Sequence, residues 1–414
     1  MKNFDKIAIK PCDILIPKKG SSFEKWSVVA CDQYTSQRSY WEQVADCVAD
    51  APSSFNIIFP EVYLEDGDGD VRIANINQTM ADYLKNDVFQ TVENSFVLVN
   101  RSFPGGKSRK GLVVAVDLEC YDYKKGAKSL IRATEGTVLE RIPPRVKIRA
   151  NAPLELPHIM ILIDDPSKTV IEPLFEKELP LLYDFDLMMD SGHISGYQVA
   201  DDVALEGVAS ALEALCVGEN PFVYAVGDGN HSLASAKAHW ENVKQTLSGD
   251  DLLIHPARFA LAELVNVHDD GLVFEPIHRI CTDVDPVALL EEMEQYFSTK
   301  RDGGIAQKVT YLYNGVRGEF NMGRGTHALT VGSLQEFLDK KLASSSMKID
   351  YIHGDDVVET LSSAPNAIGF LLPVMDKSEL FPGVASAGVL PRKTFSMGEA
   401  FEKRFYLECR KITK

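Results

Sequence analysis

The chain has 414 residues, a hydrophobic content of 45% and a formal net charge of −17. This length predicts about two or three domains, and the composition is that of a globular protein with a sizeable core. The acidic balance argues against nucleic acid and anionic membranes as partners, because both require a basic surface. A small anionic ligand is still compatible, since a local group of arginines and amides can outweigh the global charge.

The first residues lack the apolar core of a signal peptide, and no apolar run is long enough to span a membrane. Seven cysteines are scattered without a C-x-x-C pair, which favours reduced thiols over a disulfide framework or a zinc site. We therefore expect a cytoplasmic protein whose partner is a small molecule. The sequence does not indicate an oligomeric state.

Predicted helices and strands mix along the chain without a strict βαβ rhythm. In the first half, the patterns predict helices over 39–48, 73–84 and 203–215, and strands over 96–100, 111–117, 130–137 and 159–163. In the second half, they predict strands over 259–265, 272–274, 309–313, 318–322, 327–331, 367–373 and 393–397, and a helix over 284–296. This mixture favours an α+β (mixed α/β) fold over a doubly wound one. A soft boundary near residue 248 separates the predicted domains 1–248 and 249–414.

The segment from Phe222 to Ala236 carries the most informative pattern. Apolar residues suited to a strand lead into the glycine turn, Gly227-Asp228-Gly229-Asn230, and apolar residues then recur at helical spacing. Such a junction can bind phosphate, because a helix start offers unpaired amide donors and glycine lets the backbone approach closely. The same residues can also serve only to turn and cap the chain, and spacing alone does not decide between these roles.

A second segment places one carboxylate among cations. It contains Arg132, Glu135 and Thr137, followed by Arg141, Arg145, Lys147 and Arg149. Neighbouring cations keep a carboxylate ionised, and burial would raise its pKa towards that of a general base. The alternative is a salt-bridged surface loop.

Metal-binding patterns are weak. Aspartate pairs occur at 164–165, 269–270 and 355–356, and one of them could hold Mg²⁺ beside a nucleotide. Each pair falls in a predicted turn, where aspartate is common for local hydrogen bonding. The nine histidines form no zinc-binding pattern, so no residue is assigned as a metal ligand.

Taken together, these blocks resemble domain-of-unknown-function family 1015. The family's Ala-Asp-Gly-His-His-Arg-Tyr motif is matched by Gly227–Leu233, and its R-P-H-E-R-T segment by residues 132–137. Further blocks match in order at 271–279, 368–373 and 391–394. The resemblance spans nearly the whole chain.

The glycine motif is also similar to that of ParB-type CTP-binding partition proteins, sulfiredoxins and free serine kinases. This likeness implies a ParB/serine-kinase-like nucleotide-binding core, and ATP or ADP as the nucleotide, with Mg²⁺ as an accompanying ion. A mixed or antiparallel sheet is expected in the second domain, because the strands predicted over 309–313, 318–322 and 327–331 indicate an antiparallel meander. The implied phosphate ligands are Asp228, Gly229, Asn230 and Ser232. The implied catalytic residues are Glu135, which falls on the base glutamate of the kinases' K-P-H-E segment, and His231.

Two departures from these motifs bear on function. Ser232 stands where family 1015 has Arg, so a positive charge must come from elsewhere, and the candidates are Arg132, Arg145, Arg279 and Lys393. Asn230 stands where sulfiredoxins carry their catalytic cysteine. Without that thiolate, sulfinic-acid reduction cannot start.

The leading hypothesis is a phosphotransferase or phosphohydrolase acting on a small hydroxylated metabolite such as serine. Glu135 would take the hydroxyl proton while the glycine turn holds the phosphoryl group. The alternative is a non-catalytic nucleotide- or metabolite-binding regulatory protein, which the missing Arg mildly favours. In a third hypothesis the junction only supports the fold, and the pocket lies in the second half around His278, Arg279 and Lys393.

Overall fold

The computed structural model describes residues 4–298 and 306–414, which divide into two compact units. The first unit runs up to Leu272 and also includes the C-terminal segment, Glu399–Lys414, whereas the second unit is Val273–Gly398. The predicted boundary near residue 248 thus lies inside the first unit. The reason is that strand Phe259–Asn266 pairs on both edges with strands of the first unit.

The described strands are β1 (Ile9–Lys10), β2 (Cys12–Pro17), β3 (Val28–Val29), β4 (Phe89–Ser102), β5 (Ser108–Asp117), β6 (Tyr121–Asp122), β7 (Ile131–Ala133), β8 (Leu154–Glu155), β9 (Met160–Ile163), β10 (Leu181–Asp186), β11 (His193–Val199), β12 (Tyr224–Asp228), β13 (Phe259–Asn266), β14 (Phe274–Pro276), β15 (His278–Thr282), β16 (Lys308–Tyr313), β17 (Val316–Asn321), β18 (Lys348–Ile352), β19 (Ile368–Leu371), β20 (Phe395–Met397), β21 (Phe405–Tyr406) and β22 (Arg410–Lys411).

The described α-helices are α1 (Phe23–Trp26), α2 (Arg38–Val48), α3 (Gly69–Lys85), α4 (Ile142–Arg149), α5 (Asp202–Leu215), α6 (Asn230–Lys244), α7 (Asp251–Ile254), α8 (Pro286–Phe297), α9 (Thr330–Ser344), α10 (Asp355–Leu361) and α11 (Leu380–Ala387). Short 3-10 helices lie at Ser54–Ile57 and Glu61–Tyr63. Within the described ranges, no helix is long and apolar enough to cross a membrane.

One mixed sheet organises the first unit. Its order is β10-β11-β4-β5-β13-β9-β12-β7-β6, with β1 beside β5 and β2 beside β4. The pairs β13–β9, β12–β7 and β6–β7 are parallel, whereas β4 pairs antiparallel with β5 and β11. The C-terminal segment joins this unit through the pairs β3–β21 and β8–β22. The mixed pairing explains why the sequence shows no strict βαβ rhythm.

Both faces of this sheet are covered by helices. On β5, Leu112, Val114 and Val116 belong to one apolar cluster, and Val113 belongs to the other, because successive side chains of a strand point to opposite faces. Helices α5 and α6 pack on the first cluster, and α2 and α3 contribute to the second. The long apolar strands of the sequence are therefore buried on both sides.

The second unit contains a five-stranded antiparallel sheet in the order β17-β16-β19-β15-β18. The predicted mixed α/β fold with a second antiparallel-sheet domain is confirmed. The predicted third meander strand over 327–331 is wrong, because helix α9 begins at Thr330. Val331, Leu334 and Leu338 recur at helical spacing and pack into this unit's core.

A buried network of charges ties the C-terminal segment to the sheet. Glu263 on β13 pairs with Arg404, and its Oε1 lies 3.6 Å from Nε of Arg109. Arg404 also pairs with Glu408 and donates from Nε to the carbonyl of Pro157 at 3.2 Å. Burial raises the pKa of Glu263, but Arg404 and Arg109 lower it by more, so its pKa lies below the ordinary value.

His239 on α6 makes the stability of this unit depend on pH. Burial, followed by the charge of Arg149, lowers the pKa of His239 from 6.5 to about 4. The folded state therefore binds fewer protons than the unfolded state between these values. The stability that depends on neutral His239 is therefore fully present above about pH 6.5. It is lost at about 1.4 kcal/mol per pH unit as the pH falls towards 4. We expect that in His239→Gln the free energy of unfolding falls less steeply over this pH range.

Urea unfolding at several pH values, followed by tryptophan fluorescence, tests this expectation, because Trp26, Trp41 and Trp240 all lie in the first unit. His193→Gln is the matched control. The carboxylate of Asp186, together with that of Asp184, raises the pKa of His193, so this residue contributes stability at low pH that is lost on the alkaline side. An unchanged acid slope in the His239 variant would contradict the expectation.

Candidate functional site

The glycine turn joins the end of β12 to the start of α6. Gly229 is the N-cap residue, has a φ of +75°, and offers no side chain to the first-turn amides of the helix. Asp228, Asn230, His231 and Ser232 are partly exposed, whereas Gly229 is buried. The turn is therefore not packed shut, and the positive end of a four-turn helix faces the space beside it.

Only glycine fits position 229, for two reasons. A side chain would be strained at a φ of +75°, and an added Cβ would lie 3.0 Å from the Cα of Ile159. We expect Gly229→Ala to lower the free energy of unfolding by about 1–2 kcal/mol from the backbone conformation alone. Gly136→Ala is the control, because its added methyl group meets no atom within 4 Å. Equal stability of the two variants in chemical denaturation would show that the turn is not strained by a side chain.

The segment 134–138, which contains Glu135, lies against this turn. Because β7 pairs in parallel with β12, Thr134, which follows β7, lies beside Asn230 at the start of α6. Oδ1 of Asn230 accepts a hydrogen bond from the Thr134 amide at 3.3 Å. Further on, the Val138 amide donates to Nε2 of His231 at 3.3 Å. Glu135 therefore lies on a short stretch fixed at both ends to the first two residues of α6, and it is partly exposed.

These contacts also assign roles to the two helix residues. The side-chain amide of Asn230 donates to the carbonyl of Val226 at 3.2 Å and to Oγ1 of Thr134 at 3.4 Å. Any contact of Asn230 with an anion must therefore come from its main chain. Because Nε2 of His231 accepts a hydrogen bond, this nitrogen is unprotonated and the imidazole is neutral in this arrangement.

A buried lysine supplies a cation at the turn. Nζ of Lys403 lies 3.3 Å from Oδ2 of Asp228, and the lysine side chain is only 9% exposed. The other carboxylate oxygen of Asp228 accepts from the Gly229 amide at 2.9 Å. Lys403 belongs to the C-terminal segment, so no local spacing in the sequence links it to the glycine turn.

His158 connects Ser232 to a second carboxylate. Its Nε2 lies 3.2 Å from Oγ of Ser232 and 3.6 Å from Oδ2 of Asp32, and its Nδ1 lies 2.6 Å from the Tyr406 hydroxyl. That hydroxyl accepts from the Cys31 amide, and burial raises its pKa well above the ordinary value. These contacts join Tyr406, His158, Ser232 and Asp32 in one chain of polar groups beside the start of α6.

Asp32 is held in its ionised form. Burial raises the pKa of Asp32, but His158, the Gln33 amide and the Lys403 ammonium lower it by more, so its pKa lies below the ordinary value. Asp32 and Asp228 thus both interact with Lys403 beside the start of α6. Sequence reasoning did not select Asp32, His158, Lys403 or Tyr406, because they come from distant parts of the chain and form no recognisable spacing.

The predicted arginines have separate positions. Arg132 donates to the carbonyls of Ser129 and Asn220, and its guanidinium lies 4.7 Å from the centroid of the Phe222 ring. These partners precede β7 and β12, whereas the glycine turn follows β12, so Arg132 points away from the turn. Arg145 pairs with Glu61 and lines the cavity described below.

The remaining predicted residues have contacts within the second unit. His278 accepts from the Leu372 amide at Nδ1, and its Nε2 lies 2.8 Å from Asp355. Arg279 is fully buried, and its guanidinium donates to Gln335 and to the carbonyl of Lys393. These bonds hold the second unit together.

A cavity of about 170 Å³ lies within the first unit beside the start of α6. We call it the apolar cavity. Its walls are Cys31, Ile57, Ile58, Phe59, Glu61, Leu64, Met80, Pro144, Arg145, Ile148, Arg149, Ala152, Leu154, Glu155, Leu156, Pro157, His158, Ile159, Ser232, Ser235 and Tyr406. Ser232 and His158 belong both to this wall and to the polar contacts around the turn.

No cluster of three or more His, Cys, Asp or Glu suited to a metal ion occurs in the part of the chain that the structure describes. Each aspartate pair has hydrogen-bond partners in the chain instead. Asp165 accepts from the Thr169 and Val170 amides, and Asp269 accepts from the Lys110 and Gly271 amides. The role of Mg²⁺ remains a prediction.

The sequence matches a family model described as "Protein of unknown function (DUF1015)" over residues 11–353, so the chain belongs to this family. The resemblance drawn from the ordered sequence blocks is thereby confirmed. None of the curated proteins matches the sequence.

Several solved structures are similar to the chain. A free serine kinase in complex with AMP has 11% identity and a TM-score of 0.38, covering 75% of this chain and 95% of the kinase. A conserved hypothetical protein from Pyrococcus furiosus has 10% identity and a TM-score of 0.36, with coverage of 75% and 97%. SbnI from Staphylococcus aureus, with a C-terminal truncation, has 10% identity and a TM-score of 0.36, with coverage of 69% and 82%.

Proposed function

We propose that the protein is a phosphotransferase or phosphohydrolase that acts on a small hydroxylated metabolite such as serine. The observation that carries this proposal is the pair of contacts from Thr134 to Asn230 and from Val138 to His231. They hold Glu135 on the segment that adjoins the glycine turn. A base and a phosphate site on neighbouring elements are what phosphoryl transfer to a hydroxyl requires.

The phosphoryl group would lie at the start of α6. Gly229 leaves the first-turn amides without a side-chain cap, and those amides together with the helix dipole favour an anion. Lys403 adds the positive charge that Ser232 does not provide, and the Ser232 hydroxyl adds a donor. Most of the rate enhancement would come from placement and charge neutralisation, as is general for this chemistry.

Glu135 would remove the proton from the substrate hydroxyl. His231 would position it, because its neutral Nε2 holds the Val138 amide and so fixes the far end of the segment. ATP or ADP, with Mg²⁺, would be the phosphate donor or product in the transferase form of the proposal. The chain's own residues supply the base, the cation and the amide donors.

The role of Lys403 can be measured directly. We expect Lys403→Met to weaken binding of ADP and inorganic phosphate by roughly ten- to a hundredfold, because a charge-assisted hydrogen bond is worth about 1.5–3 kcal/mol. Isothermal titration calorimetry provides the measurement. Lys168→Met is the control, since that lysine is exposed and pairs only loosely with Asp270 at 4.0 Å. Unchanged affinity in the Lys403 variant would place the anion elsewhere.

A regulatory protein that binds a nucleotide or metabolite without turnover is the second candidate. The observation that favours it is Ser232 in place of the family's Arg, which removes a fixed charge beside the phosphate. A thermal-shift panel of ATP, ADP, serine and phosphoserine, followed by product analysis, separates the two. Ligand stabilisation should reach about 2.7 kcal/mol at a hundredfold excess over Kd. Binding without product across a wide panel of hydroxylated acceptors would favour the regulator.

A further inference from the structure

The apolar cavity adjoins the proposed phosphate site through shared residues. Ser232 is on the first turn of α6 and also lines the cavity, and Ile159, against which Gly229 packs, is part of the same wall. A molecule whose anionic group meets the first-turn amides would therefore have its next atoms beside the Ser232 and Ile159 part of the cavity wall. This inference rests on the proposed function, because it takes the anion position from it.

The cavity presents an apolar surface in spite of the charged residues around it. Those charges are already paired, Arg145 with Glu61 and Arg149 with Glu155. Burial raises the pKa of the Cys31 thiol, so it remains protonated and acts as a small apolar group.

The hydroxyl groups on the wall are also engaged. Oγ of Ser235 donates to the carbonyl of His231 at 2.7 Å, and the Tyr406 hydroxyl bonds to His158. A ligand group in the cavity therefore meets mainly aliphatic and aromatic walls.

The size of the cavity limits what it can take. Its volume of about 170 Å³ is similar to that of engineered apolar cavities of about 150 Å³, which bind benzene. We propose that the ligand of this site carries a compact apolar group, about the size of a phenyl ring or a branched aliphatic chain, next to its anionic group, and that the apolar cavity binds it. The substrate class is thereby narrowed from hydroxylated metabolites in general to those with such a group, and serine leaves the cavity unfilled.

A series of phosphate monoesters tests this proposal on the unmodified protein. Calorimetric titrations would compare inorganic phosphate, methyl phosphate, phosphoserine and phenyl phosphate. Burying an apolar group of this size should make phenyl phosphate bind roughly ten- to a hundredfold more tightly than methyl phosphate. Equal affinities for phenyl and methyl phosphate would overturn the cavity assignment while leaving the phosphate site intact. Absence of binding by every compound, inorganic phosphate included, would overturn the proposed function as well.

A variant that fills the cavity gives an independent measurement. Ile148 on α4 lines the cavity, and Ile148→Trp should reduce the affinity for phenyl phosphate to that for methyl phosphate without affecting inorganic phosphate. Lys147→Trp is the matched control on the same helix, because the Lys147 side chain is 60% exposed and forms no part of the wall. If phenyl phosphate keeps its advantage in a folded Ile148 variant, its ring binds outside the cavity.

Discussion

Replacing Glu135 by Gln is expected to lower turnover by a factor of about 10² to 10⁴, the usual contribution of a general base. Glutamine keeps the shape of the side chain but cannot accept the substrate proton. The glycine turn, Lys403 and the first-turn amides stay in place, so nucleotide binding should be unchanged. Product formation from ATP or ADP with a panel of hydroxylated acceptors gives the rate, and calorimetry gives the affinity.

Glu140→Gln is the matched control for this experiment. Glu140 is an exposed residue that lies two positions after Val138 and before the start of α4. Its replacement should leave both the turnover rate and the nucleotide affinity unchanged. Full activity of the Glu135 variant on a confirmed substrate would remove Glu135 from the mechanism. A parallel loss of nucleotide binding would instead indicate that Glu135 supports the turn.

Replacing Glu263 by Gln is expected to lower the free energy of unfolding of the first unit by about 3–5 kcal/mol. Glu263 is buried between Arg404 and Arg109. Removing its charge leaves Arg109 without this buried carboxylate and leaves Arg404 with Glu408 alone. Breaking a buried ion pair on one side is costly for this reason, even where the intact pair adds little net stability. Guanidinium unfolding followed by tryptophan fluorescence measures the change.

The exposed ion pair between Lys18 and Asp87 provides the comparison. The Asp87 side chain is 77% exposed, and exposed pairs of this kind contribute at most about 1 kcal/mol. Asp87→Asn should therefore have a small effect on the same transition. A Glu263 variant as stable as the Asp87 variant would show that the buried cations find other partners or water.

Local patterns in the sequence predicted the central strands of the first unit's sheet and several of its helices. The apolar runs of β5, β9 and β13 and the helical spacing of α5 and α6 gave elements close to those observed. The error over 327–331 arose where five residues could not distinguish a short strand from the start of a helix. The apolar residues that establish the helical spacing of α9 lie further along the chain, at Leu334 and Leu338.

The candidate site was predictable only where its residues are neighbours in sequence or match a family motif. Glycine, aspartate and the following helix define the turn locally, and Glu135 came from a motif. Lys403 and Asp32 carry no such signal, because tertiary structure alone brings them to the turn. Arg132 was predicted to bind phosphate because of its charge, but charge does not indicate which way a side chain points. Its guanidinium instead donates to the loops that precede β7 and β12.

The C-terminal segment has a consequence for biosynthesis. Lys403, Arg404 and Tyr406 complete the first unit, yet the ribosome adds them only after all of Val273–Gly398 has been made. The nascent first unit would therefore emerge with an unfinished interior and without the Lys403 ammonium beside Asp228 while the inserted unit is synthesised. Chaperone dependence or premature degradation would be concentrated in that interval.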